Sequence, residues 1–174
     1  MKREIQVWDY AGTILQALDK GILLTTKVDG QVNSMTIGWG KLGIEWGRPI
    51  FVVYVRKSRY TKEMLEKNPE FTINVPLNGC DKRILSVCGT KSGRDMDKIR
   101  ELGLTLEEPK SISVPAIREL PLTLECKVVY RQDQDPNAID QKATDRYYPK
   151  NAQFPDGDYH TAYFGEITAA YIVE

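Results

Sequence analysis

The dipeptide Asp29-Gly30 stands between two short runs rich in β-branched residues, 21–28 and 31–38. Both of its positions tolerate positive φ, so the stretch predicts a tight hairpin and commits the start of the fold to antiparallel pairing. Residues 49–55 contain Ile50-Phe51-Val52-Val53-Tyr54-Val55, too short for an independent helix and apolar on both faces, which predicts a central strand. Residues 71–75 predict another strand. In 122–128 the alternation Leu-Thr-Leu-Glu-Cys-Lys-Val predicts a half-buried one, and Pro115 and Pro121 confine its lead-in to an edge or a bend. A last strand is expected over 161–173, where Gly165 marks a bulge or a close backbone approach.

Helical signals are short and few. Ser58 is a candidate N-cap for a helix that stops at Asn68-Pro69, with Lys62/Glu66 and Glu63/Lys67 as four-apart pairs. A second helix is expected over 80–88 with Gly89 as its stop, and a third over 95–102 ending at Gly103. The polar stretch 131–159, punctuated by Pro136, Pro149 and Pro155, reads as a surface excursion with a short helix near 138–146. Strands in runs, without regular βαβ alternation, favour an antiparallel barrel or sandwich, and 1–174 reads as one domain.

Composition narrows the partners. The formal net charge is zero and no basic stripe interleaves with aromatics, which argues against nucleic acid and against an anionic membrane surface. No apolar run is long enough to span a bilayer and none behind Met1 resembles a signal peptide, so a soluble cytoplasmic protein is expected. Three cysteines and one histidine predict reduced thiols and no dedicated zinc site. Cys88, with Ile84 on one helix face, reads as a small core residue.

The segment VRKSRYTKE, residues 55–63, is electrostatically odd. Four cations precede its first carboxylate at the start of a helix, where the dipole favours anions and each cation costs roughly 0.3–1 kcal/mol. A phosphate held by Ser58, Thr61, Arg56 or Arg59 and the free N–H groups of the first turn would reverse that cost. Equally, the cations could simply reach water or Glu66. The second candidate is Asn33-Ser34-Met35-Thr36-Ile37-Gly38-Trp39-Gly40, whose backbone could meet the polar edge of a flat heterocycle while Met35 or Trp39 packs its face.

Taken together, NSMTIGWG, RKSRYT, FTINVP, CGTKSGRDMDK and YHTAYFGEI occur in the order found in the flavin reductase-like family of FMN-binding split barrels, which includes the flavoredoxins. The chain resembles that family from about Leu15 to Val173. The resemblance implies a mainly β fold with short helices, a six-stranded antiparallel Greek-key split barrel, and a homodimer with FMN near the subunit interface. It implies that Ser58, Arg59 and Thr61, helped by Arg56, hold the FMN phosphate. Asn33, Ser34, Met35 and Thr36 would lie against the isoalloxazine, with Trp39 near the ring. Ser92 and Lys98 would approach the phosphate or the ring's electron-rich end, and His160 and Phe164 would line the redox face, His160 as the catalytic residue. The implied activity is NAD(P)H-dependent flavin reduction, with NADH or NADPH as donor. The alternative is a flavoredoxin-type carrier that exchanges electrons with a redox protein partner.

Overall fold

The computed structural model describes residues 1–174. The Asp29-Gly30 turn is present with φ of 49° and 81°, and it joins two strands in the register Val28↔Gln31 to Ile22↔Ile37. In chain order the elements are β1 (Lys2–Glu4), α1 (Ala11–Lys20), β2 (Ile22–Val28), β3 (Gln31–Ile37), β4 (Gly40–Glu45), β5 (Arg48–Arg56), α2 (Tyr60–Lys67) and β6 (Glu70–Val75). They continue as α3 (Lys82–Thr90), α4 (Lys98–Leu102), β7 (Leu106–Glu107), β8 (Ala116–Ile117), β9 (Leu122–Asp133), α5 (Gln141–Tyr147) and β10 (His160–Val173). No helix is long and apolar enough to cross a membrane.

Eight strands form the main antiparallel sheet in the order β3-β2-β6-β9-β10-β5-β4, with β1 added to β10. The fold is the mainly β, short-helix split barrel that the sequence resembles, with two more strands in the main sheet than the six expected and a separate two-stranded pair, β7-β8. One of the additions, β1, is a three-residue polar edge strand, and the other, β4, is a glycine-containing, half-exposed one. Neither is long or apolar enough to alternate visibly. The 14-residue β10 organises the sheet: β9 pairs along most of one side, while the other side is shared by β5 at His160–Glu166 and β1 at Tyr171–Val173.

Alternate residues of the strands fill one core, among them Ile22 and Leu24, Phe51, Val53 and Val55, Phe71, Ile73 and Val75, and Leu122, Leu124 and Cys126. α1 closes it with Ile14 and Leu18 on one face. That helix was not foreseen, although its four-residue apolar spacing and the Gly21 stop are both in the sequence. On the outer face of β2, Leu23 packs with Ile84, Cys88, Leu104, Ile117 and Leu120, so Cys88 is the core residue that its helical spacing suggests. At Gly165 the register with β9 shifts, and a Cβ there would fall 2.4 Å from the Phe71 ring. Both readings of that glycine therefore hold.

Several boundaries differ. α3 begins at Lys82 because Asp81 caps it, accepting from the Arg83 N–H at 2.8 Å, which leaves Cys80 outside the helix. It then runs through Gly89, because the hydrogen-bond ladder continues to the Lys91 N–H, which donates to the Val87 carbonyl at 2.9 Å. α4 is shorter than expected because Asp97 caps it, while Gly103 ends it in the left-handed region as expected. Ser58 is not the cap of α2: Arg59 occupies that position without a side-chain bond, and Lys62 pairs with Glu66 while Glu63 instead meets Arg94. The excursion is narrower, since β9 extends to Asp133 and β10 begins at His160.

Candidate functional site

Three adjoining cavities meet where β3, β5 and the start of α2 converge. The first, about 220 Å³, is lined by Asn33, Met35, Ser58, Arg59, Thr61, Ser92 and Lys98, with Gly93 and Phe154 among the other walls. The second, about 200 Å³, is a slot between Met35, Thr36, Trp39, Tyr54, Arg56, Arg59 and His160. A third, about 530 Å³, opens between Arg56–Arg59 and the segment 146–158. Arg59 lines all three. A cavity of about 630 Å³ beside β1 and residues 168–170 of β10 gathers none of the residues singled out in the sequence.

The fate of each cation in VRKSRYTKE can now be read. Arg56 donates to the backbone carbonyls of Asp158 (2.8 Å) and Tyr147 (2.9 Å), Lys57 pairs with Asp133 at 3.2 Å, and Lys62 pairs with Glu66 at 3.1 Å. Of ten arginines in the chain, six form ion pairs and Arg56 and Arg83 hold carbonyls, which leaves Arg59 and Arg146 as the two with no hydrogen-bonded or ionic partner for the side chain. Ser58 is spent on Asp158, to which it donates from N (3.1 Å) and Oγ (2.6 Å). In this arrangement its hydroxyl belongs to the excursion rather than to an anion.

The first cavity has two unmet demands. Lys98 is 3% exposed, and its ammonium donates only to the Lys91 carbonyl at 3.3 Å. Burial, aided by Arg59, lowers its pKa. Asn33 donates to Thr61 Oγ1 at 3.2 Å, but its buried Oδ1 accepts nothing. Gly93 is required against that amide, because a Cβ would lie 2.3 Å from Oδ1. A buried cation lacking an anion beside an orphaned acceptor fits a ligand that brings both a phosphate and a hydroxyl or N–H donor.

The slot supplies flat contacts. Trp39, 41% exposed, meets the Tyr147 edge at 5.0 Å and the His160 ring at 5.1 Å. His160 is buried, and its Nδ1 is 2.8 Å from the Tyr148 hydroxyl. Burial, and then the Arg56 charge, lowers His160 to about 4. It is therefore a neutral imidazole at pH 7.

Two expected residues do not join this group. Ser34 is wholly buried, with its hydroxyl 2.7 Å from Thr25 Oγ1 in a polar stripe that includes Asn74, Thr72 and Thr123. Phe164 packs against Tyr130 (5.0 Å) and the patch of Ile50, Val52 and Ala162, four residue pairs along β10 from the His160–Arg56 pair. Its neighbour Tyr163 is the core residue of the two. Conversely, Tyr54, Tyr147, Tyr148, Gln153 and Phe154 line the site without having been anticipated, four of them from the excursion.

Fold and site together define a split β-barrel with a cationic cavity next to an aromatic slot. A family model described as "Flavin reductase like domain" matches residues 20–174, and the chain belongs to that family. It is 29% identical to a flavoredoxin from Methanosarcina acetivorans (TM-score 0.66, covering 88% of this chain and 68% of that one). The flavoredoxin of Desulfovibrio vulgaris (Miyazaki F) is 24% identical at a TM-score of 0.66, with 88% and 69% covered. An uncharacterized protein of Archaeoglobus fulgidus is 35% identical over 97 residues, 56% of this chain and 54% of that protein. The chain thus spans about half the length of that curated relative.

Proposed function

We propose that the protein binds FMN and reduces it with a nicotinamide donor, as an NAD(P)H-dependent flavin reductase. The observation that carries this reading is the buried, unpaired Lys98 beside the orphaned Asn33 Oδ1 and the free Arg59, in a cavity continuous with the Trp39–His160 slot. When bound, FMN supplies the hydride-accepting ring. Lys98 and Arg59 would hold its phosphate, while Asn33 Oδ1 would accept from a hydroxyl of the ribityl chain. Met35, Thr36 and Trp39 would border the ring.

His160 takes a binding role in this proposal. With a pKa of about 4 it is uncharged at pH 7, so it offers one ring N–H as a hydrogen-bond donor rather than an imidazolium acid. In the tautomer where Tyr148 donates to Nδ1, the ring N–H lies on Nε2. Arg56 positions the excursion through its two carbonyl contacts and leaves anion binding to Arg59. The implied homodimer is part of the proposal, supported by the exposed Ile44, Trp46 and Tyr130 around the Phe164 patch. Sedimentation velocity would test it, a monomer at tens of micromolar refuting it.

The test of function is the anaerobic visible spectrum of the protein with equimolar FMN as NADH, then NADPH, is added. A perturbed flavin band that bleaches much faster than free FMN is expected. A perturbed band that stays oxidised would instead support an electron carrier served by a protein donor, a reading favoured by the likeness to the two flavoredoxins.

A further inference from the structure

The third cavity is unassigned by any of this. Its walls include Arg56, Arg59, Arg146, Tyr147, Tyr148 and Asp158. At about 530 Å³ it falls in the range of small-molecule sites, and it shares Arg56 and Arg59 with the slot beside Trp39 and His160. Asp158 is its one carboxylate, and both of its oxygens are engaged by Ser58. Against it stand three guanidinia, including the two in the whole chain that have no hydrogen-bonded partner. Arg146 lies over the Tyr147 ring at 5.1 Å, Arg56 lies over Tyr148 at 5.2 Å, and Tyr148 stacks on Tyr159 at 4.7 Å. Cations laid on flat rings around an open volume suit a ligand that carries both phosphate and a heterocycle.

We infer that this cavity receives the adenosine diphosphate half of the nicotinamide donor, with Arg146 and Arg59 at its phosphates and Tyr147 beside the adenine. This rests on the reductase reading above and extends it by giving the donor a seat of its own, built by the excursion. The nicotinamide end would then meet the flavin ring at the mouth of the slot, and Arg59 marks the boundary. Because Arg146 is exposed, replacing it leaves the fold in place, and it belongs to neither of the two cavities assigned to FMN.

The test is calorimetric titration of the FMN-loaded protein with ADP, oxidised NADP⁺ and nicotinamide mononucleotide, for the native chain, Arg146→Ala and Arg146→Lys. Loss of one charge-assisted contact predicts about tenfold weaker ADP and NADP⁺ binding in Arg146→Ala, partial rescue in Arg146→Lys, and unchanged mononucleotide and FMN binding. ADP that does not bind, that binds equally to Arg146→Ala, or that cannot bind at all while FMN is bound overturns the inference. So does a loss confined to ADP with NADP⁺ unmoved, which would make the cavity a site for free adenine nucleotides. If NAD(P)H fails to bleach the flavin while the predicted binding pattern holds, the reductase reading fails and the dinucleotide seat stands. Rapid bleaching without ADP binding is the reverse result.

Discussion

Replacing Lys98 with Met should move stability and phosphate binding in opposite directions. The ammonium is 3% exposed and has one carbonyl partner, so the protein without flavin carries a buried cation that no carboxylate neutralises. An effective penalty of several kcal/mol attends a buried ion, and the carbonyl contact offsets part of it. Met fills nearly the same volume without the charge. Lys98→Met should therefore stabilise the flavin-free protein by about 1–3 kcal/mol, raising Tm by about 2–4 °C per kcal/mol in a chain of this size. FMN binding should weaken by about 1.5–3 kcal/mol, the worth of a hydrogen bond to a charged group, or roughly 10- to 150-fold, while riboflavin changes by less than about twofold. Thermal melts of the flavin-free proteins and fluorescence titrations with both flavins measure the two halves.

The pH dependence of the native chain follows from the same residue. Burial holds Lys98 below the free-lysine value, so the unfolded chain binds the extra proton in the window between the two. Stability should climb as pH rises through that window and should not climb in Lys98→Met. Equal losses of FMN and riboflavin would place Lys98 at the ring and refute the phosphate assignment. A lower Tm for the variant would refute the claim that its charge is uncompensated.

Other perturbations follow from contacts already described. Gly165→Ala, with its Cβ 2.4 Å from Phe71 Cζ and 2.8 Å from Cys126 Cβ, should destabilise the protein by about 1–3 kcal/mol in urea unfolding; a neutral result would mean that the ring has room to move. His160, lowered by burial to about 4, makes stability fall as pH drops from roughly 6.5 toward 4, by at most about 1.4 kcal/mol per pH unit; His160→Gln should flatten the Tm profile there, and parallel profiles would refute it. Glu125 is wholly buried and accepts from the N–H groups of Lys110 and Ser111, the Ser111 hydroxyl and the Tyr171 hydroxyl. Glu125→Gln turns one acceptor into a donor facing donors and should cost about 2–4 kcal/mol by chemical denaturation. Gly93→Ala should displace Asn33 and weaken FMN and riboflavin alike while the melt changes little, whereas a loss confined to FMN would place Asn33 at the phosphate.

Elements with a local cause were legible in the sequence. The Asp29-Gly30 hairpin, the strand β5 (which lies next to the edge strand β4 rather than at the centre of the sheet) and the crowding at Gly165 each follow from a few adjacent residues, and so does the surplus of cations at 55–63. What was hidden depends on partners distant in the chain. Nothing in Lys-Ser-Arg says that Asp158 takes the serine and leaves the second arginine free. The strands β1 and β4 are defined by the edges they cover rather than by their own alternation. Ser34 and Phe164 sit within motifs of the right residues, but alternation turns Ser34 away from the face of Asn33 and Met35, while Phe164 shares the face of His160 and lies four residues further along β10. Tyr147 and Tyr148 reach the slot only because Arg56 gathers the excursion by its carbonyls, a contact that spans 91 residues at Tyr147.

Arg59, which borders all three cavities, ties their occupancies together. Two anions that flank one guanidinium compete for its N–H donors and repel each other, so an anion in the outer cavity and a flavin phosphate in the inner one oppose each other by a coupling that is equal in both directions. Flavin affinity in this protein is then a property of the surrounding solution as much as of the chain: phosphate or pyrophosphate buffers should depress it more than chloride does at matched ionic strength.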